Sequence, residues 1–330
     1  MRALIVGAGL MGRHHAQAAI RAGGSISAIV DPDGRRAAAL AELCHGASFA
    51  ASLQEALEKH RAEVVHICSP ADTHAELGEL AAEARCHALI EKPAAANASD
   101  TRRLLEGFAR SGRLACPVHQ YALQRSVRAA ATIVSKLGLL RQIAVDVCSA
   151  GGEKEAVDLD CLAADILSHP LSMIQKLAPR APIARLKWSC LRASAGEWLI
   201  TAPFETASLC ITVSLNGRPT RFRTRIVSDR GSLELDNFHD YFVQLPGNVS
   251  RARKIALPFV QNIKGLTAAG VNLLGRAVRN EHGYPGLRTL VADFYAAASA
   301  SPTGAPPITP DEAIAVAEAR DQIMRLARSA

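Results

Sequence analysis

Along the first third of the chain, short apolar runs alternate with longer stretches of helical periodicity. The apolar runs are Ala3 to Val6, Ser25 to Val30, Val64 to Cys68, Cys86 to Ile90 and Leu114 to Val118. Continuous apolar runs of this length, each followed by a helical segment, predict a doubly wound parallel sheet. Between two of them, Ser52 with Glu55 three residues on forms a capping box that predicts a helix start. The pattern then changes. Ile143, Val145 and Val147 alternate with polar or small neighbours, as do Leu209, Ile211, Val213 and Leu215, which predicts a half-buried antiparallel sheet in an α+β domain. In Arg221 to Ile226 three arginines share one side, read first as a solvated face. The change of pattern near Gln120 to Arg125 sets the expected domains at 1–122 and 123–330. After the proline-rich loop from Pro302 to Pro310, Thr309, Pro310 and Glu312 predict a final helix over about 310–327.

Ligands of open parallel sheets bind beyond the carboxyl ends of the strands, so the residues that follow each strand carry the chemistry. The first strand opens into Gly7-Ala8-Gly9-Leu10-Met11-Gly12. Gly7 permits a tight turn, Gly9 lets the backbone approach a pyrophosphate, and Gly12 lets the next helix pack on the strand, with its N-terminus facing the phosphates. The second strand ends in Asp31, nineteen residues after Gly12, placed to bind ribose hydroxyls. A carboxylate there repels a 2′-phosphate and favours NAD over NADP. Arg35 and Arg36 follow closely enough to reach a phosphate, or serve as helix surface. Ser69-Pro70, with His74 beyond, follows the third run, and Glu91-Lys92-Pro93 follows the fourth.

Together G-x-G-x-x-G with His15 three residues on, Cys68-Ser69-Pro70 with His74, and Glu91-Lys92-Pro93 resemble the glucose-fructose oxidoreductase, inositol dehydrogenase and rhizopine-catabolism (Gfo/Idh/MocA) family. The resemblance extends to Asp165 and His169, which match an Asp-x-x-x-His element, to Arg230 through Asp236, and to Tyr284-Pro285-Gly286 through Tyr295. It implies an α/β N-terminal Rossmann domain with a parallel sheet, plus an α+β domain with a large, mainly antiparallel open sheet whose free face meets another subunit in a dimer or tetramer. It also implies cofactor contacts from Gly7, Gly9, Leu10, Met11, Gly12, Asp31, Arg36, Ser69, Pro70, His74, Glu91, Lys92 and Gln120. Tyr121, Arg125 and Tyr284 fall at substrate positions of the family. Ala122 stands where many relatives carry arginine, and Leu167 where many carry glycine, so no substrate is copied from those relatives.

Composition narrows the class. The chain has 330 residues and a net charge of +7. That charge suits an anionic cofactor or substrate, while scarce aromatics and the lack of a nucleic-acid motif argue against nucleic acid. Met1 and Arg2 run straight into a strand, so no signal peptide is expected. The eight cysteines contain no C-x-x-C pair and read as reduced and cytoplasmic. No histidine cluster has metal-ligand spacing, and no metal is expected. The segment 257–280 is a mostly apolar helical run. Between Arg251 and His282, Arg251, Arg253, Lys254, Lys264, Arg276 and Arg279 face the single acid Glu281, a local balance of +5. A subunit interface ranks first for it, a lid second, and a membrane-surface helix last.

Hydride exchange with a secondary alcohol needs a base for the hydroxyl proton and a group to stabilise the developing charge. His169 fits the base and Lys92 the stabiliser. Asp165, four residues before His169, shares its face if both lie in one helical turn, although Pro170 interrupts that ladder. The expected function is an NAD-dependent dehydrogenase acting on a secondary hydroxyl or carbonyl of a sugar, cyclitol or nucleotide-linked sugar. Two alternatives stand behind it: a redox-neutral enzyme with tightly held NAD, and a non-catalytic sugar- or dinucleotide-sensing regulator.

Overall fold

The computed structural model describes residues 1–149, 158–247, 250–281, 283–300 and 304–329. His282 and Pro302 lie outside the described residues, as do the side chains of Arg251 and Arg253. Two compact units are present. One comprises Met1–Gln120 with Gly286–Glu318, the other Tyr121–Pro285 with Ala319–Ala330.

The first unit is built on a six-stranded parallel sheet. Its strands are β1 (Arg2–Val6), β2 (Ser25–Val30), β3 (Ser48–Ala50), β4 (Val64–Ile67), β5 (His87–Ile90) and β6 (Ala115–Pro117), in the order β3-β2-β1-β4-β5-β6. This is the order of a doubly wound dinucleotide-binding sheet, reversing direction between β1 and β4. Ala3, Leu4, Ile5 and Val6 are all buried, as a central strand covered on both faces requires. Helix α1 (Leu10–Arg21) packs directly on β1, because a Cβ at Gly12 would fall 1.8 Å from the Gly7 carbonyl oxygen. Helix α2 is Gly34–Leu43; α3 (Leu53–Lys59) starts where Ser52 Oγ accepts the Glu55 N–H at 3.2 Å. Such a cap stabilises a helix by about 1 kcal/mol. Helices α4 (His74–Glu83) and α5 (Ala98–Arg110) follow β4 and β5.

Residues 286–318 join this unit although they follow the second sheet in sequence. The reason is packing. Helix α10 (Leu287–Ser299) buries Leu290, Val291 and Phe294 and lies against α1, with the Tyr295 hydroxyl bonded to His66 on β4. Helix α11 (Pro310–Ser329) begins as expected, with Thr309 Oγ1 accepting the Glu312 N–H and the Glu312 carboxylate accepting the Thr309 N–H.

The second unit carries a seven-stranded sheet. In chain order its strands are β7 (Leu140–Cys148), β8 (Ser189–Ser194), β9 (Glu197–Phe204), β10 (Ala207–Ser214), β11 (Arg221–Ser228), β12 (Gly231–Asp236) and β13 (Tyr241–Pro246). They lie in the order β13-β12-β11-β7-β10-β9-β8, all antiparallel except the β7–β10 pair. Ile143, Val145, Val147, Ile211, Val213, Phe222 and Ile226 are buried on one face, while Arg221, Arg223 and Arg225 stand exposed on the other. Helices α6 (Arg125–Val134), α7 (Leu159–Ile166), α8 (Ser168–Leu177) and the long α9 (Arg251–Val278) complete the unit.

Candidate functional site

In the first unit the carboxyl ends of β1, β2 and β4 border a cleft of about 760 Å³. Gly7, Gly9, Asp31, Arg36, Ser69 and Pro70 all line it. The glycine turn shows why side chains are excluded. Gly7 has φ +96°, a backbone region that β-carbons disfavour, and a Cβ there would meet the Cys68 carbonyl oxygen at 2.6 Å. At Gly9 a Cβ would meet only the Arg36 guanidinium, at 3.3 Å, so its hydrogen-only surface is turned to open space. Gly9 also caps α1 without any side-chain hydrogen bond, leaving Leu10, Met11 and Gly12 as the first turn of an uncapped helix N-terminus. A narrow backbone cradle at a helix start fits a pyrophosphate.

Asp31 is buried where β2 ends. Its carboxylate accepts the Ala8 N–H at 2.7 Å and the Asp33 N–H at 2.9 Å, with the Arg36 guanidinium 4.0 Å away. It therefore ties the glycine turn to the second strand while one edge borders the cleft. Across the cleft, Ser69 Oγ and Thr73 Oγ1 lie 2.7 Å apart, and Thr73 donates to the Pro70 carbonyl.

Three of the residues expected at the cofactor are buried. His74 is buried, with its ring nitrogens 2.8 Å from the Pro93 carbonyl and 2.9 Å from the Ser69 carbonyl, so it braces the two loops against each other. The Glu91 carboxylate is also buried. One oxygen lies 3.1 Å from His15 Nε2 and the other accepts the Lys92 N–H at 3.2 Å. Gln120 is buried too, with its Oε1 lacking a protein donor among the described residues. Lys92 is half-buried and lies two residues beyond β5.

Behind Glu91 runs a buried polar chain. His15 Nδ1 lies 3.0 Å from His66 Nδ1, and His66 Nε2 lies 2.8 Å from the Tyr295 hydroxyl. A carboxylate only accepts, so His15 Nε2 donates to Glu91; the two Nδ1 atoms then need one donor and one acceptor. Burial holds the His66 imidazole well below its usual range, and His15 beside it adds to the effect. Burial likewise raises the Tyr295 phenol and the Cys68 thiol, the latter also through the Glu91 charge. His119, fully inside the unit, is pushed down to about 4 by burial, with Glu91 opposing and Lys92 assisting.

In the second unit, Asp165 closes α7 and His169 opens α8; they do not share one uninterrupted helix. Pro170 has no N–H to give the Ile166 carbonyl, so the ladder breaks at Leu167, whose backbone stays in the right-handed region. His169 meets Tyr121 edge to face, with ring centroids 4.7 Å apart, and Tyr121 packs on Phe222 at the same separation. Burial, aided by the nearby Tyr284, pushes the Tyr121 phenol up to about 12. Tyr284 itself has φ +47°. Asp165 lies near Arg320, a buried guanidinium lowered from its usual range by desolvation, with Asp165 and Asp321 opposing that shift. Arg125 stands apart in role: it is exposed, its N–H bonds Asp240, and it borders a groove with α9.

Residues 1–119 match the Gfo/Idh/MocA family model, an oxidoreductase family with an NAD-binding Rossmann fold. That match lies within the first unit. An inositol 2-dehydrogenase of Leifsonia xyli subsp. xyli is 38% identical over 108 residues, 32% of this chain and 32% of that enzyme. The match thus spans about a third of the relative's length. Levoglucosan dehydrogenase, solved in complex with NADH and levoglucosan, superposes with a TM-score of 0.80 at 16% identity, covering 100% of this chain and 97% of that one. UDP-N-acetylglucosamine 3-dehydrogenase GnnA from Acidithiobacillus ferrooxidans gives 0.74 at 17% identity, covering 100% and 98%. At those identities the likeness is one of fold, and it extends through both units.

In the first unit, sequence reasoning passed over three buried polar residues. His66 reads as an ordinary core residue, Tyr295 only as part of a late helix, and His119 as a residue at the domain boundary. One signal was available for His66: a titratable side chain inside the apolar run Val64 to Cys68 must find a polar partner.

Proposed function

We propose that this protein is an NAD-dependent dehydrogenase, exchanging a hydride with a secondary hydroxyl or carbonyl of a sugar, cyclitol or nucleotide-linked sugar. The observation that carries this reading is the glycine cradle at Gly7, Gly9 and Gly12. It opens on a cleft edged by Asp31, in a domain whose next strand ends include Glu91-Lys92-Pro93. Bound there, the nicotinamide would supply the hydride acceptor or donor. Gly7, Gly9 and the first turn of α1 would hold the phosphates, and Asp31 and Arg36 the adenosine ribose.

Lys92 is assigned the charge that stabilises oxygen on the reacting carbon. His169 is assigned the base that takes the hydroxyl proton on its imidazole, a group whose ordinary pKa suits transfer near neutrality. Tyr121, set edge to face against that ring, fixes its orientation. Asp165 and Tyr284 are proposed to address substrate hydroxyls.

Purified protein incubated with NAD and a panel of cyclitols, free sugars and nucleotide sugars tests the assignment through absorbance of reduced nicotinamide. NADH formed with one group of substrates supports it. Silence across the panel, with NAD released only on denaturation, would move the assignment to a redox-neutral reaction.

Asp31 sets a second expectation. Replacing its carboxylate with the serine hydroxyl removes a charge that would oppose a 2′-phosphate. At about 4 Å and an effective dielectric near 20 such an opposition amounts to about 4 kcal/mol per charge pair. Asp31→Ser also loses the bond to the Ala8 N–H, so NAD binding weakens as NADP binding gains. The ratio of the two dissociation constants is expected to move toward NADP by at least about tenfold. An unchanged ratio in fluorescence titrations with both cofactors would remove Asp31 from cofactor selection.

A further inference from the structure

Inside the first unit, side chains from separate elements stand in single file: Tyr295 on α10, His66 on β4, His15 on α1, and Glu91 just beyond β5. The links measure 2.8, 3.0 and 3.1 Å in that order. All three rings are buried, and successive rings are nearly perpendicular, at 83° and 89°. None can swing without breaking a neighbour's bond. The Tyr295 ring is held by packing as well, since a Cβ on Gly24 would fall 2.8 Å from its Cε2.

The direction of the file is fixed at its far end. Among the described residues the Tyr295 hydroxyl has no polar partner except His66 Nε2. Were His66 to donate there, the buried phenolic proton would have no acceptor, an arrangement that folded proteins avoid. Tyr295 therefore donates to His66 Nε2. Burial keeps His66 neutral by holding its imidazole well below the usual range, and a neutral imidazole has one N–H. His66 must then donate from Nδ1 to His15 Nδ1, and His15 from Nε2 to Glu91. Every hydrogen points toward the carboxylate. Burial also raises the Tyr295 phenol, so the file neither takes up nor releases charge readily. It carries orientation rather than protons.

We infer that Tyr295, His66 and His15 are positioning residues for Lys92. They act through Glu91, whose one carboxylate oxygen receives His15 while the other accepts the Lys92 main-chain N–H at 3.2 Å. A hydroxyl on α10 thus sets which way the carboxylate behind Lys92 is held. The task given to Lys92 rests on the dehydrogenase reading; the direction of the file and its hold on the Lys92 backbone do not.

The test uses the full chain with ¹⁵N-labelled histidine and with backbone amides followed by hydrogen exchange. In the wild type, His66 is expected to carry its proton on Nδ1 and His15 on Nε2. His66 protonated at Nε2 instead would overturn the inference without any variant. Tyr295→Phe keeps the ring and removes the donor. Both histidines are then expected to show mixed tautomers, and the Lys92 amide to exchange at least about fivefold faster, the loss of one buried hydrogen bond. With a substrate in hand, kcat should fall about fivefold to tenfold while KM and NAD affinity stay within about twofold, as misplacement of a reacting group requires. Unchanged exchange at Lys92, or unchanged kcat, would overturn the positioning role. Wild-type protein that forms no NADH across the substrate panel would remove the dehydrogenase reading, and the tautomers and the Lys92 amide would still decide this inference.

Discussion

Replacing Lys92 with alanine is expected to lower kcat by at least about 10³ while NAD affinity stays within a few-fold of wild type. A positioned charge aimed at developing negative charge is worth about 10² to 10³ in turnover, and loss of a linked proton-transfer route adds to it. The local structure makes the variant informative. The bond between Glu91 and the Lys92 main-chain N–H survives the substitution, as do the His15 contact to Glu91 and the His74 contact to the Pro93 carbonyl. The loop should therefore keep its shape, and the loss reports the ammonium group. Lys92→Arg should not restore turnover, because a planar fork cannot replace a compact ammonium at a reacting oxygen. The measurement is steady-state kinetics beside direct titration of NAD. A raised KM at unchanged kcat would assign Lys92 to substrate binding alone.

How much of this was legible in the sequence depends on how local the cause is. The strand over Ser25–Val30 emerges with the expected bounds because its apolar run is set by burial on both faces. Strand β3 was not readable. It has only three residues, Phe49 is 57% exposed, and its strand character comes from pairing with β2. The helix break between Asp165 and His169 was readable in Pro170, whereas the edge-to-face contact of Tyr121 with His169 was not, since it joins residues far apart in sequence. The same holds for His66 and Tyr295, 229 positions apart. It also holds for the return of residues 286–318 to the first unit, which depends on the tertiary docking of α10 on α1. For α9 the apolar residues were visible in advance. Which side they take was not, because it is fixed by the polar contacts of Gln261, Lys264 and Asn272.

Mild acid should begin to weaken this protein before its carboxylates titrate. His119 is neutral in the fold, with its pKa lowered to about 4, and in the unfolded chain it returns to an ordinary value near 6.5. Between those two values the unfolded state binds a proton that the folded state refuses, so stability falls as pH falls. At about 1.4 kcal/mol per pH unit, the full passage costs about 3 kcal/mol. His66 is shifted in the same direction by burial and by His15, and so adds to the loss as pH falls below the ordinary imidazole value. Above pH 6.5 both contributions are constant. A domain stable by about 5–15 kcal/mol is materially weakened by such a change. Denaturant midpoints measured from pH 7.5 down to pH 4.5 should therefore decline steadily, beginning near 6.5. In His119→Gln the decline should be shallower, since the proton that His119 refuses is gone. A midpoint that stays flat to pH 4.5 in the wild type would mean that acid reaches these imidazoles without unfolding the domain, and that the buried chain from Glu91 through His15 and His66 to Tyr295 tolerates an added charge.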